Sequence, residues 1–89
     1  MIRVHMIIRG RVHGVGYRDG ARRRASQLGL SGWIKKLPNG SVEAVAEGED
    51  LEVQEFIEWC KTGPPSSFVE EIEVERTPAR GDLRGFLRD

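Results

Sequence analysis

The stretch Gly10-Arg11-Val12-His13-Gly14-Val15-Gly16-Tyr17-Arg18 decides both the fold and the candidate site. An alternating apolar run, Ile2 to Ile8, precedes it and predicts a strand with one buried face, and a helical pattern from Tyr17 to Leu28 follows it. A glycine-rich loop between strand and helix favours anion binding, because backbone N–H groups can turn inward and the helix N-terminus adds partial positive charge. Arg18 falls in the first helical turn, where its guanidinium can pair with two phosphate oxygens. The stretch therefore predicts a site for one phosphoryl-sized anion; the alternative is a tight turn with a surface arginine.

The common nucleotide-binding motifs are absent from this stretch. No G-x-x-x-x-G-K-[ST] sequence occurs, which excludes a Walker A loop. Gly14 and Gly16 are not followed by a third glycine at the dinucleotide-binding spacing, since Asp19 stands there, and no acidic residue is placed near position 36 to hold a ribose. We therefore expect the loop to bind a single phosphoryl group and not a dinucleotide.

Length indicates one small domain, residues 1–89, and His5 and His13, eight residues apart without a nearby carboxylate pair, do not favour a metal site. The 14 basic and 14 acidic residues cancel overall, but residues 1–36 hold nine Arg or Lys against Asp19 alone, and residues 37–75 hold eleven acids against Lys61. This asymmetry indicates either pairing between elements or a field that attracts anions, and the glycine-rich stretch favours the field. A lone cysteine, Cys60, permits no internal disulfide. We expect a monomer in the cytoplasm, with no leader and no membrane partner.

The rest of the chain completes a β-α-β-β-α-β order with a small terminal strand. Two extended runs, Leu30 to Lys36 and Ser41 to Glu47, flank an Asn-Gly hairpin turn, and a second helix is predicted over Asp50–Thr62 with Asp50 as its N-cap and Cys60 in the core. Phe68 to Thr77 alternates as a strand with a solvated face of glutamates, and Phe86-Leu87 could close the sheet. The order predicts an α+β, ferredoxin-like sandwich, an antiparallel sheet with two helices on one face.

Two motifs in this chain resemble the acylphosphatase family. They are the opening stretch Gly10 to Arg18 and Gly32-Trp33-Ile34-Lys35-Lys36-Leu37-Pro38-Asn39-Gly40-Ser41-Val42-Glu43, and the resemblance extends through Gly63-Pro64-Pro65 and Gly85-Phe86. It implies a metal-free and cofactor-free enzyme that hydrolyses carboxyl-phosphate mixed anhydrides to a carboxylate and inorganic phosphate by in-line attack of water. It also implies that Arg18 is catalytic and that the preceding residues bind substrate, namely Arg11, Val12, His13, Gly14, Val15, Gly16 and Tyr17.

Lys36 departs from the family pattern. The family orients the attacking water with an asparagine, and the matching position here is Lys36, a second catalytic candidate. Asparagine offers an acceptor and donors, whereas protonated lysine has three donors and no acceptor. Lys36 can bind phosphate as a point charge but cannot aim the water in the same way. The sequence leaves open a slowed hydrolase and a non-catalytic module that binds phosphate or acyl phosphate. Asn39 and His13 are interpreted as turn and loop-packing residues.

Nucleic-acid binding is a third hypothesis that the residues disfavour. Arg22, Arg23 and Arg24 are consecutive, but a helix spreads three adjacent side chains around its circumference. RNA-binding sheets of this architecture stack bases on aromatic side chains, and the expected inner strand, Ser41 to Glu47, contains none. We expect a small-molecule acyl phosphate as partner and no nucleic acid.

Overall fold

The computed structural model describes all residues 1–89 and contains five strands and two helices. In chain order these are β1 (Ile2–Arg11), α1 (Tyr17–Gln27), β2 (Ser31–Lys36), β3 (Val42–Gly48), α2 (Asp50–Thr62), β4 (Phe68–Pro78) and β5 (Phe86–Arg88). No helix has the length and apolar character needed to cross a lipid bilayer. The element order is the one that the sequence predicts, including the terminal strand.

The strands form one sheet in the order β4-β1-β3-β2-β5. The β1–β3, β1–β4 and β2–β3 pairs are antiparallel, as expected for a ferredoxin-like sheet, and β5 lies parallel to β2, which makes the complete sheet mixed. On the same face of the sheet, α1 contacts β2 and β5, α2 contacts β1, β3 and β4, and the two helices contact each other. Their common face of the sheet carries Val4, Met6 and Ile8, which are fully buried because period-two alternation presents them to the helices.

The helices contribute apolar stripes at helical spacing to this core. Tyr17, Ala21 and Ala25 of α1 are buried, as are Val53, Phe56, Ile57 and Cys60 of α2. Burial raises the pKa of the Cys60 thiol to about 12, which keeps it protonated. Cys60 is therefore a packed core residue, as its place on the stripe predicts.

The helix ends agree with the sequence at one helix and differ at the other. Gly29 follows the last helical turn of α1 with φ 73°, and the N–H groups of Gly29 and Leu30 donate to Ser26 and Ala25, the Schellman arrangement that glycine favours. The prediction of Asp50 as N-cap of α2 is wrong by one residue. Glu49 occupies the N-cap without a side-chain hydrogen bond, and Asp50 lies in the first turn, where its charge still favours the helix dipole.

The turn between β2 and β3 is held by the side chain of Asn39. Its Oδ1 accepts from the Ser41 N–H at 3.0 Å and from the Ser41 hydroxyl at 2.6 Å, and the Leu37 N–H donates to the Ser41 carbonyl at 2.8 Å. Only Gly40 has a positive φ, so this is a longer turn than the two-residue form in which both central residues have positive φ. The amide oxygen of Asn39 is therefore committed to the turn.

A segment of residues 79–85, the crossing segment, carries the chain from one edge of the sheet to the other. Because β4 and β5 are opposite edges, this segment spans the whole width of the sheet. Glu47 anchors it: its carboxylate accepts from the backbone N–H groups of Arg80 at 2.9 Å and Gly81 at 2.8 Å, and Arg3 Nε lies 2.9 Å away. Glu47 alternates with the buried Ala46, so the segment crosses the face opposite the helices.

Replacing Glu47 by glutamine is expected to lower the free energy of unfolding by about 2 kcal/mol at pH 7, because charge-assisted hydrogen bonds to a 4% exposed carboxylate are weakened. The N–H groups of Arg80 and Gly81, together with Arg3, hold the pKa of Glu47 below its ordinary value of 4.5. A lowered pKa adds stability above pH 4.5 that disappears as the pH falls through the folded-state value. Denaturant unfolding at several pH values should therefore show the two proteins converging in acid.

The matched control is Glu75→Gln, at an exposed position of β4 without a hydrogen-bond partner for the carboxylate. Its unfolding free energy should follow that of the unaltered protein at every pH. If the difference in unfolding free energy between Glu47→Gln and the unaltered protein stayed constant down to pH 2, the assigned role of the carboxylate would be contradicted.

Candidate active site

The loop between β1 and α1, residues 12–16 and hereafter the glycine loop, is fixed at both ends by buried side chains. Val12, the first residue of the loop, is 1% exposed and packs in the core, and Tyr17, directly after the loop, is equally buried. Gly14 and Gly16 are exposed. His13 adds a tether, since its Nε2 is hydrogen-bonded to the carbonyl of Gly40 in the β2–β3 turn. The loop backbone is thus tethered to the core and to the β2–β3 turn, while its glycines are exposed.

The backbone N–H groups of residues 12–19 donate to no carbonyl and to no side chain. The first N–H beyond them that finds a partner is that of Gly20, which donates to Gly16 O at 2.9 Å. Unpaired backbone donors are uncommon in folded proteins, and those at a helix N-terminus carry the positive end of the helix dipole. The glycine loop and the first turn of α1 together therefore form a continuous run of backbone N–H groups without protein acceptors.

Glycine is required at two places in this geometry. Gly16 is the N-cap of α1 and adopts φ 79° and ψ 14°, a left-handed conformation that turns the chain into the helix. Gly10 lies at the register shift of β1 against β4, with φ 138°, where an added Cβ would come within 2.2 Å of the Phe68 carbonyl oxygen. The register of β1 shifts at Gly10 and α1 begins after Gly16, so the loop lies at one end of the sheet.

A cavity of about 200 Å³ lies against this loop. It is lined by Val12, Gly14, Gly16, Tyr17, Arg18, Asp19 and Arg88. Arg18 extends to Asp89, the residue after β5, where its Nη1 donates to the Asp89 backbone oxygen at 2.8 Å, and its remaining N–H groups have no protein acceptor. Arg88 reaches α1 from β5 and forms an ion pair with Asp19, with 2.9 Å between Nε and Oδ1. Two guanidinium groups therefore border one small pocket.

Tyr17 joins the start of α1 to the end of α2. Its hydroxyl donates to the Cys60 carbonyl at 2.7 Å, its ring lies 5.5 Å from that of Trp59, and Gly63 passes so close that an added Cβ would be 2.6 Å from Tyr17 Cδ2. Burial raises the pKa of Tyr17 well above its ordinary value, so the phenol remains a donor. The contact therefore fixes the residue next to Arg18 against the end of α2.

Replacing Tyr17 by phenylalanine is expected to lower the free energy of unfolding by about 1–2 kcal/mol, because the carbonyl of Cys60 loses its buried donor while the ring packing stays. Chemical denaturation followed by tryptophan fluorescence measures this directly. The control is Thr62→Val, whose exposed hydroxyl contacts Trp59 O at 3.3 Å in the same helix end. Equal effects of the two substitutions would contradict a special role for the buried hydroxyl.

The sequence-predicted site residues divide into two groups. Val12, Gly14, Gly16, Tyr17 and Arg18 line the cavity, whereas Arg11, His13, Val15 and Lys36 do not. Arg88, which does line it, is missed by the sequence analysis, because only the parallel pairing of β5 with β2 brings it to α1. The one signal available in the sequence is that Arg88 stands two residues after the core residue Phe86, and thus on the same face of the strand.

Lys36 lies at the same end of the sheet as the glycine loop. It pairs in register with Val42, which pairs with Ile8 near the end of β1, and it lies two residues after the buried Ile34, so it is on the same, helix-side face. Its side chain is exposed and has no acidic partner. Lys35, in contrast, belongs to the opposite face, where its Nζ lies 3.8 Å from Glu43 and 5.2 Å from the Trp33 ring.

Much of the charge asymmetry is used in pairs between elements. Arg3 pairs with Glu47 and Asp82, Arg9 with Glu71 and Glu73, and Arg24 with Glu55. These pairs join β1 to its two neighbouring strands and α1 to α2. Pairing between elements is one of the two explanations of the charge asymmetry that the sequence left open. The excess positive charge that remains near the glycine loop comes from Arg11, Arg18 and Lys36, together with the helix terminus.

Comparisons with known proteins agree in one family. A sequence model of the family described as Acylphosphatase matches residues 4–87. The acylphosphatase of Rubrobacter xylanophilus is 54% identical over 84 residues, covering 94% of this chain and 76% of that protein, and that of Trichormus variabilis is 50% identical over 86 residues, covering 97% and 84%. The crystal structure of acylphosphatase from Bacillus subtilis matches with a TM-score of 0.95 at 35% identity, covering 100% of this chain and 99% of that one.

Proposed function

The chain belongs to the acylphosphatase family and hydrolyses acyl phosphates, and we propose that it holds the phosphoryl group between the amides of the glycine loop and Arg18. The products are a carboxylate and inorganic phosphate. The observation that carries the proposal is the run of unpaired N–H groups in residues 12–19, beside a guanidinium with unused donors.

Binding comes first in this scheme. The non-bridging oxygens of the phosphoryl group accept hydrogen bonds from the loop amides and from Arg18, because these donors are close together in the chain and lack protein acceptors. Phosphoryl transfer needs little covalent chemistry from a protein, and catalysis depends on position and on stabilisation of charge at the oxygens. Arg18 is already oriented by the Asp89 backbone oxygen, so little side-chain entropy is lost when substrate binds.

Hydrolysis then needs a water molecule in line with the carboxylate leaving group. A carboxylate leaves readily, so the reaction does not depend on a strong general base. Lys36 stands at the end of the sheet beside the loop and is exposed, which lets its ammonium group reach a bound anion. Because an ammonium group has no acceptor, Lys36 strengthens phosphate binding without directing the lone pair of the water. Turnover is therefore slower than an asparagine at this position would allow.

The activity is tested by measuring phosphate release from acetyl phosphate and benzoyl phosphate, with a stable phosphate monoester as comparison. We expect turnover of both acyl phosphates and none of the monoester, because only the mixed anhydride has a leaving group that needs no protonation. Release from the acyl phosphates at the rate of the buffer alone would contradict hydrolysis by this protein.

The runner-up is a module that binds phosphate or acyl phosphate without turnover. The absence of an acceptor on Lys36 is the observation that favours it. This function predicts that inorganic phosphate binds in calorimetry while acetyl phosphate is not consumed, and the same pair of measurements therefore separates the two functions.

We also infer that the protein acts as a single-domain monomer on a small substrate in the cytoplasm. One core cluster includes residues from Val4 to Phe86, and Cys60 lies inside it as a free thiol. Light scattering coupled to size exclusion should give a mass close to 10.0 kDa. A concentration-independent mass of twice that value would contradict the monomer.

A further inference from the structure

Arg88 gives the pocket a positive charge that the phosphoryl group does not need. The cavity lining has two parts: the glycine loop with Tyr17 and Arg18, which supplies the free amides and one guanidinium, and the pair Asp19 and Arg88. A phosphoryl group held by the amides fills the first part. The residues of the lining that remain for the attached acyl group to contact are then Asp19 and Arg88.

The position of Arg88 is fixed by the strand that carries it. Phe86 is buried against Phe56, with 5.6 Å between the ring centroids, and Arg88 is on the same face two residues later, in register with Ile34. The guanidinium Nε lies 2.9 Å from Asp19 Oδ1, and its two Nη groups have no protein acceptor. A guanidinium has five N–H donors, so one edge remains free for a second carboxylate while the other contacts Asp19.

We propose that Arg88 is a specificity-determining residue that makes this enzyme prefer acyl phosphates whose acyl group carries a second negative charge, such as the phosphate anhydride of a dicarboxylic acid. This inference rests on the proposed function and names its substrate class. Asp19 has the opposing effect, because it occupies one edge of Arg88 and repels the distal carboxylate. The preference for a dianionic acyl phosphate therefore depends on the balance between attraction by Arg88 and repulsion by Asp19.

The test compares succinyl phosphate with butyryl phosphate, which has the same chain length and no distal carboxylate. Arg88→Gln should lower the ratio of their kcat/KM values about tenfold, the loss of one charge-assisted contact, and Asp19→Asn should raise it several-fold. Arg22→Gln changes net charge equally at an exposed position of α1 outside the cavity, and it should leave the ratio unchanged. Thermal melting checks that all variants fold.

Inhibition by inorganic phosphate separates the two ends of the pocket. If Arg88 contacts the acyl group, Arg88→Gln changes the phosphate inhibition constant by less than about twofold. A tenfold rise would place Arg88 on the phosphoryl group and overturn the inference, as would equal losses for the two substrates. Failure of the proposed function has a different result, no turnover of either substrate; calorimetric binding of succinyl and butyryl phosphonates then tests the Arg88 preference without catalysis.

Discussion

Replacing Arg18 by alanine will lower kcat/KM for acetyl phosphate by about 10³-fold or more. The side chain follows the loop by two residues in the sequence and has unused N–H donors, and it is oriented in advance by the Asp89 backbone oxygen. Single arginines that stabilise the transition state of phosphoryl transfer have effects of this size. Since Arg18 also binds the ground-state phosphate, KM should rise as kcat falls, and steady-state kinetics on acetyl phosphate give both constants.

The control for Arg18 is Arg22→Ala, four residues further along α1 at an exposed position without an acidic partner. It removes the same charge from the same helix and should retain kcat/KM within about twofold, because exposed charges outside a site have small effects. A fully active Arg18→Ala enzyme would remove the proposed binding mode. An equally damaged Arg22→Ala enzyme would assign the effect to net charge.

Replacing Lys36 by asparagine will raise kcat for acetyl phosphate by about 10²-fold. The substitution supplies the acceptor oxygen that lysine lacks, at the end of β2 beside the glycine loop, and one well-placed polar group contributes about 10²–10³ to a rate. Losing the ammonium charge should at the same time weaken phosphate inhibition. A rise in kcat with weaker product binding is a combination that a general change in stability would not produce.

Lys35→Asn is the matched control, since Lys35 is the adjacent residue on the opposite face, near Glu43 and Trp33. We expect its kcat to equal that of the unaltered enzyme. An unchanged rate in Lys36→Asn would show that Lys36 does not limit turnover, and the water would then have to be oriented by another group. Asn39 is excluded from that role as long as its Oδ1 accepts from Ser41.

Local patterns in the sequence predict most of the fold and the phosphate end of the site. The alternation of Ile2 to Ile8, the stripe of Val53 to Cys60 and the glycines of the loop are each encoded by residues close in sequence, because period and φ preferences are local properties. The exact N-cap of α2 differs because Glu49 and Asp50 are both acidic and both suit the first turn.

The proposed acyl end of the candidate site depends on contacts that no local pattern in the sequence predicts. Arg88 reaches Asp19 only because β5 pairs parallel to β2 at the far edge of the sheet. Glu47 resembles any outward-facing strand glutamate in the sequence, and its burial is created by residues 80 and 81, more than thirty positions away. Contacts of this kind can be identified only from the tertiary structure, because they depend on the path that the crossing segment takes over the sheet.

The shortness of β5 has a consequence for how long the pocket stays complete. This strand has three residues and pairs only with β2, through contacts such as Asp89 N–H to Ile34 O and Gly32 N–H to Gly85 O. Elements with so few contacts open far more often than a core strand such as β1. We expect each opening to break the contacts of Arg18 with Asp89 and of Arg88 with Asp19. Amide hydrogen exchange should therefore be faster at Asp89 than at Met6, and bound phosphate should slow it.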